Sequence, residues 1–273
     1  MLATRRDVTL TQGVLTFFEV LYHTIVRNVR NESGGAALGI ALTIFRSVMM
    51  VAIFVAIFQF MGMGGVKIRG DVVLFMYTGV SLFLLHNSAI TRTMSAGNPL
   101  LPILRHTSMT TVLNILAANC ALLYTHVISS AAILAYVHLW RDALDIAEPE
   151  GLIAPYLLAW GSGIAIGMIL LAIKPFLPRV AEFASLIYRR LNMVSSGKFV
   201  VANMLPATFT VFFTWNPLFH CIDQLRGAVF VNYFPHKTGL GYPLAFVGAA
   251  MVIGMMAEFW LRRNLSASTQ KRQ

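Results

Sequence analysis

Residues 151–173 read Gly-Leu-Ile-Ala-Pro-Tyr-Leu-Leu-Ala-Trp-Gly-Ser-Gly-Ile-Ala-Ile-Gly-Met-Ile-Leu-Leu-Ala-Ile, without one charged side chain. About 20 consecutive apolar residues in a helix cross the hydrocarbon core of a bilayer, so this run is long enough to do so. Similar runs occupy 37–61, 72–91, 110–139 and 242–261. Hydrophobic residues make up 57% of the 273 and charged ones only 12%, with a mean hydropathy of +0.70. A soluble core of this length still needs a charged shell, whereas lipid accepts apolar surface once every backbone N–H and C=O is satisfied inside helices. The fold class expected is therefore an all-α integral membrane protein.

A sixth crossing is expected between the last two of these runs. An apolar stretch from Phe183 is broken by Tyr188-Arg189-Arg190 and by Ser195-Ser196-Gly197-Lys198. It resumes from Phe199 to Trp215 with Pro206 in its middle. One clean helix does not fit this pattern. A span followed by short re-entrant helices over about 205–241 does, because irregular backbone is tolerated at membrane depth where protein or a water-filled cavity surrounds it.

Ahead of the first span, Val14, Phe17, Phe18, Leu21, Ile25 and Val29 follow helical spacing, with Glu19, His23, Arg27 and Arg30 on other faces. This predicts an amphipathic helix lying in the membrane interface. It lacks the continuous apolar region and the cleavage pattern of a secretory signal peptide. The chain thus divides into a cytoplasmic tail and interfacial helix (1–36), a six-span domain (37–261) and a basic tail (262–273). With both ends cytoplasmic, Lys and Arg favour the inner side by about two to one, the bias expected of inward-facing loops. A net charge of +10 then reflects membrane orientation, since the cations flank apolar runs and form no single basic arm for nucleic acid.

The sequence excludes some chemistry. It has no GxxxxGK[ST] phosphate loop, so it does not hydrolyse ATP by that route. Its seven histidines are scattered without HxxxH spacing or a carboxylate cluster, and Cys120 and Cys221 lie far apart, so no metal or disulfide site is expected. The third run is long enough to tilt and contains Asn114, Asn119 and His126, which should face protein. Asn114, Asn119 and His220 are read as interhelical hydrogen-bonding groups.

The most informative local pattern is Trp215-Asn216-Pro217-Leu218-Phe219-His220-Cys221-Ile222-Asp223-Gln224-Leu225-Arg226-Gly227. Asn216-Pro217 is a helix start, with Asn capping exposed N–H groups and Pro in the first turn. Phe219, Ile222 and Leu225 share a face, and the spacing of Asp223 and Arg226 allows them to pair.

This motif, with Asn216, Pro217, His220, Asp223 and Arg226, resembles the signature before the last span of ABC-2 type permeases, particularly those exporting capsular polysaccharide or O-antigen. The amphipathic start, the Gly39-to-Phe58 span, the Asn98-Pro99-Leu100-Leu101 loop and Ser196-Gly197-Lys198-Phe199 agree with it, and the similarity covers almost the whole chain. At Lys198 the chain departs from the apolar or aromatic residue usual after Ser-Gly. The resemblance implies a homodimer in the bacterial inner membrane, joined to two copies of a separate ATPase that binds ATP and magnesium. Its cargo would be a lipid-linked polysaccharide moved outward, with periplasmic or outer-membrane export proteins as further partners and no cofactor in this chain. It also implies that the short helices after the fifth span line the outer mouth.

Charged side chains at membrane depth usually face a cavity or the bundle interior. Arg189 and Arg190 fall roughly 13–17 Å along a helix from Arg179, and are expected to line the conduit; the alternative is a shifted span from which both snorkel to the headgroups. Lys198 and the aromatics Tyr188, Phe199, Phe212, Phe213 and Trp215 are further conduit candidates, with Phe209, Tyr233 and Phe234 beside them; packing and interfacial-belt roles are the alternative for these rings. The segment from Arg92 to His106, with Asn98, Pro99 and Arg105, is the expected ATPase-coupling element, and Phe18 and Arg27 of the amphipathic helix the second contact. Export of lipid or drug is the alternative within transport. A membrane enzyme acting on lipid-linked phosphate, with His220 and Asp223 as base and orienter, is the rival from another class. A total of only 11 Asp and Glu residues weakens it.

Overall fold

The computed structural model describes residues 10–31, 35–60, 71–96, 110–141 and 146–270, and among them every regular element is a helix. Helix α1 spans Leu10–Asn31, α2 Ala36–Phe60, α3 Val72–Ala96 and α4 Thr111–Arg141. A 3-10 turn at Pro149–Leu152 leads into α5, Ile153–Ile173, followed by α6, Pro178–Ser195. A second 3-10 turn, Ala202–Met204, precedes the short α7, Ala207–Thr214, and α8, Pro217–Val229; α9 runs over Gly241–Gln270. Among the described residues, five segments are long and apolar enough to cross a membrane: Ala37–Ile57, Val72–Ala96, Thr111–Leu139, Pro149–Ile173 and Gly241–Trp260. They coincide with the five apolar runs of the sequence, except that α3 continues past 91 to Ala96.

Most of α3 is buried, and little of α2 or α9. Helix α3 is the axis of the bundle, and α4, α5, α6 and α8 pack around it. The contacts fix directions. Thr93 accepts from Asn119 and Ala96 from Asn114, while Ser81 meets His126 near the other end, so α3 and α4 are antiparallel. Gly163 lies against His86 and Ala89, and Gly167 against Ile90 and Thr93, so α3 and α5 advance together. Gly161 faces Val247 and Gly254 faces Met168, so α5 and α9 are parallel too. Residues 174–240 therefore carry the chain from the C-terminal end of α5 back to the level of its start. Helix α6 makes most of this return, its Ala181 beside Met94 and Leu170 and its Tyr188 bonded to His86.

Helix α6 is amphipathic in an unusual sense. Ala181, Ser185 and Asn192 are buried, whereas Phe183, Leu186, Ile187, Leu191 and Val194 are exposed. Its apolar face points out and its small and polar face points in. On α1, Val14, Leu15, Phe18 and Tyr22 are likewise exposed, while Thr24 and Val29 are buried.

The closest approaches between α3 and α5 depend on glycine. A Cβ on Gly163 would lie 2.5 Å from the His86 carbonyl oxygen and 2.8 Å from the Ala89 Cβ. Gly163→Val is expected to lower stability by about 1–3 kcal/mol, the usual cost of overpacking. Gly248→Ala, which meets nothing within 4 Å, should change the melting temperature in detergent little; equal effects of the two would contradict this packing.

Candidate functional site

The segment from Ser196 to Leu240 folds around the motif that begins at Trp215. Asn216 is fully buried, and its side-chain oxygen accepts from the Leu218 N–H at 3.0 Å, capping α8 with Pro217 in the first turn. Its amide donates to Asn192 Oδ1 at 2.6 Å and to Ser195 Oγ at 2.8 Å, tying the start of α8 to the end of α6. Leu218, Cys221, Ile222 and Leu225 pack on Leu82, Phe83 and Ala159. Cap and apolar stripe together explain why this polar-tipped segment forms a helix inside the bundle.

The two charged residues of α8 do not bond each other. Their three-residue spacing allows pairing, but each is drawn to a different flank. Arg226 donates to the carbonyl oxygens of Gly197 (3.2 Å), Val200 (2.7 Å) and Lys198, and its guanidinium lies 3.8 Å over the Phe75 ring. Asp223 accepts from the Tyr233 hydroxyl at 2.5 Å and the Thr238 hydroxyl at 2.7 Å. His220 reaches the Thr214 carbonyl at 2.9 Å and accepts from the Gly239 N–H at 3.4 Å. Helix α8 thus holds the turn before the hairpin with one charge and the loop after it with the other.

The turn at 196–200 is equally constrained. Gly197 has φ +65, where a side chain is strained, and a Cβ there would lie 2.4 Å from the Phe219 ring. The same turn seats on Gly79 of α3, where an added Cβ would lie 2.5 Å from the Lys198 carbonyl oxygen. The Lys198 side chain is only 1% exposed; it donates to the Met193 carbonyl at 2.6 Å and sits 3.6 Å over the Phe83 ring. The ring face and the carbonyl favour the charged form of this buried ammonium.

Helices α7 and α8 form a hairpin. Its tip at Trp215-Asn216 touches the end of α6, and its open ends are joined by Asn203 donating to the Phe234 carbonyl at 2.7 Å and Lys237 to the Leu205 carbonyl at 2.5 Å. The aromatic conduit candidates do not share one cavity. Phe212 (66% exposed) and Trp215 (45%) face outward; Phe213 packs on Phe219, Phe199 on Phe54, and Tyr188 bonds His86 at 3.2 Å.

A cavity of about 920 Å³ opens instead between α2, α3, α4 and α6. Arg46, Arg92, His126 and Arg189 line it, with Thr43, Asn87, Ser88 and Thr91, and no Asp or Glu is among its described lining residues. Arg189 donates to the Thr91 hydroxyl and the Ser185 carbonyl, both at 3.3 Å. Arg190, expected beside it, is exposed and outside the cavity. Each arginine at the centre of a membrane helix costs about 2.5–3.5 kcal/mol on insertion scales. A cluster of this kind is therefore unfavourable unless something compensates it. Above it, His126 meets Ser81, whose hydroxyl bonds Tyr156 at 2.8 Å, with Ser130 bonding Tyr156 at 2.7 Å.

Of the coupling candidates, Arg92 lines the cavity, Phe18 and Arg27 are exposed on α1, and Asn98, Pro99 and Arg105 lie outside the described residues. Arg46 was not singled out in the sequence; its place in an otherwise apolar span was the available signal. Compared with known proteins, the chain matches no family model and no curated protein.

Arg226→Gln is expected to lower stability by about 1.5–3 kcal/mol, the worth of hydrogen bonds from a charged donor, and Asn216→Ala by about 1 kcal/mol through the lost cap. Thermal unfolding in detergent checks both. A wild-type melting point for Arg226→Gln would mean that α8 does not hold the turn.

Proposed function

We propose that the chain is the transmembrane permease subunit of an ABC exporter that moves a lipid-linked capsular or cell-surface polysaccharide outward across the bacterial inner membrane. A separate ATPase supplies the energy. The observation that carries this reading is the fold of the Trp215–Gly227 motif. It forms a capped short helix in a hairpin, anchored among apolar helices by Asn216, Asp223 and Arg226, as the resemblance to ABC-2 permeases implies for the helices at the outer mouth.

The parallel run of α5 and α9 supports six crossings, with α6 as the fifth and α7–α8 as the re-entrant pair. The outward apolar face of α6 suits lipid, and its inward Ser185, Asn192 and Ser195 suit the bundle. With both ends cytoplasmic, the hairpin lies on the outer side and α1 rests in the inner interface. The end of α3 and the residues that follow it face the ATPase. The chain works as a homodimer, with two copies of the ATPase binding ATP and magnesium.

The bonding of α8 disfavours a membrane enzyme built on His220 and Asp223. A general base needs its orienting carboxylate within hydrogen-bond reach, and here His220 and Asp223 each bond other groups.

Affinity purification of the tagged chain in mild detergent, paired with deletion of its gene, tests the reading. A stoichiometric phosphate-loop ATPase should co-purify, and glycan should accumulate in the cytoplasm of the deletion strain. An ATPase without glycan build-up would replace polysaccharide by lipid or drug as cargo, and the absence of both would overturn the exporter.

A further inference from the structure

We propose that the cavity between α2, α3, α4 and α6 binds the phosphate headgroup of a lipid. The inference deepens the permease reading and rests on it only for the claim that the bound lipid is cargo; binding itself depends on the cavity alone.

Charge is the first argument. Arg46, Arg92 and Arg189 reach the same cavity, and no carboxylate is among its described lining residues. Arg46 makes no hydrogen bond or ion pair to any described residue, and Arg189 bonds only a hydroxyl and a backbone carbonyl. Cations at membrane depth pair with carboxylates, carbonyls or a ligand, and no described residue supplies an anion to these two. A guanidinium has five N–H donors in a planar fork that matches phosphate oxygens, so Arg189 keeps donors to spare beyond its two bonds.

The walls supply the second argument. The cations lie beside α2, whose Phe45, Met49 and Ile53 line the same cavity and are 61%, 44% and 50% exposed. A pocket for free phosphate has no use for a half-open apolar wall. An amphiphile does: its phosphate meets the arginines while its chain lies along α2. At about 920 Å³ the cavity is within the range of pockets that enclose a ligand, far more than one phosphate group fills.

The test uses the full chain purified in a neutral maltoside detergent, with dodecyl phosphate as probe and calorimetric titration as readout. Saturable binding is expected. Arg46→Gln and Arg189→Gln should each weaken it by about tenfold or more, as the loss of a charged hydrogen bond implies, while Arg189→Lys retains part of it. Arg179→Gln, on the exposed start of α6, should leave it unchanged. Each variant is first required to melt as the wild type does without ligand. Arg46→Gln keeps the test open should Arg189→Gln fail this, because Arg46 bonds nothing described. Inorganic phosphate binding as tightly as dodecyl phosphate would overturn the lipid assignment. Heat no different from that of dodecyl phosphate mixing with the maltoside micelles alone would overturn phosphate recognition, and unchanged binding by both arginine variants would overturn the site. Binding as expected from a chain that captures no ATPase would sink the permease reading and leave the lipid site standing.

Discussion

A guanidinium buried to 1% exposure has to find its partners within a few ångströms, and Arg226 finds them for both terminal nitrogens in the carbonyls of one turn, while its Nε has none among the described residues. Three backbone oxygens from Gly197, Lys198 and Val200 and the face of Phe75 surround it. Burying such a charge is costly unless hydrogen bonds compensate it, so the turn, α8 and α3 are stable only as a set. The left-handed Gly197, the notch at Gly79 and the ring of Phe219 all follow from the same close approach. Asp223 performs the matching task on the far side through Tyr233 and Thr238. One short helix therefore fixes the path of the chain on both flanks of the hairpin, which gives a physical reason for charged residues within an apolar bundle.

The other constraint is directional. Because α3, α5 and α9 run the same way, something must return the chain between each pair. Helix α4 does so after α3, with Asn114 and Asn119 bonding across to it. After α5 the return falls to α6 and the α7–α8 hairpin. The cavity lies where α6 meets α3, with Arg189 held at its edge by Thr91. A hairpin proposed to lie on the outer side and a proposed headgroup site are thus connected through one helix, α6, whose end is bonded to the tip of the hairpin by Asn216.

The five apolar helices were legible because lipid-facing spans are apolar all round, and their composition alone marks them. Helix α6 was harder to read for a physical reason. Its polar residues serve the inside of the bundle, so Arg189, Asn192 and Ser195 dilute the apolar run that would otherwise announce a span. The Asn216-Pro217 start was legible because a cap is a local interaction. The partners of Asp223 and Arg226 were not, since spacing along a helix says who can meet on its own face and nothing of a carbonyl 29 residues earlier in the chain. Likewise Arg46, Arg92 and Arg189 come from three separate helices, and only the fold brings them to one cavity.

The central claim is that residues 174–240 carry the chain back across the membrane, placing the hairpin outside and the end of α9 inside. Labelling of single cysteines by a membrane-impermeant thiol reagent in intact spheroplasts tests it most directly, in a background where Cys120 and Cys221 are replaced by Ser. Lys237→Cys, exposed at the open end of the hairpin, should label in intact cells, and Arg263→Cys near the end of α9 only after permeabilisation. Labelling of Arg263→Cys from outside, with Lys237→Cys protected, would contradict the account.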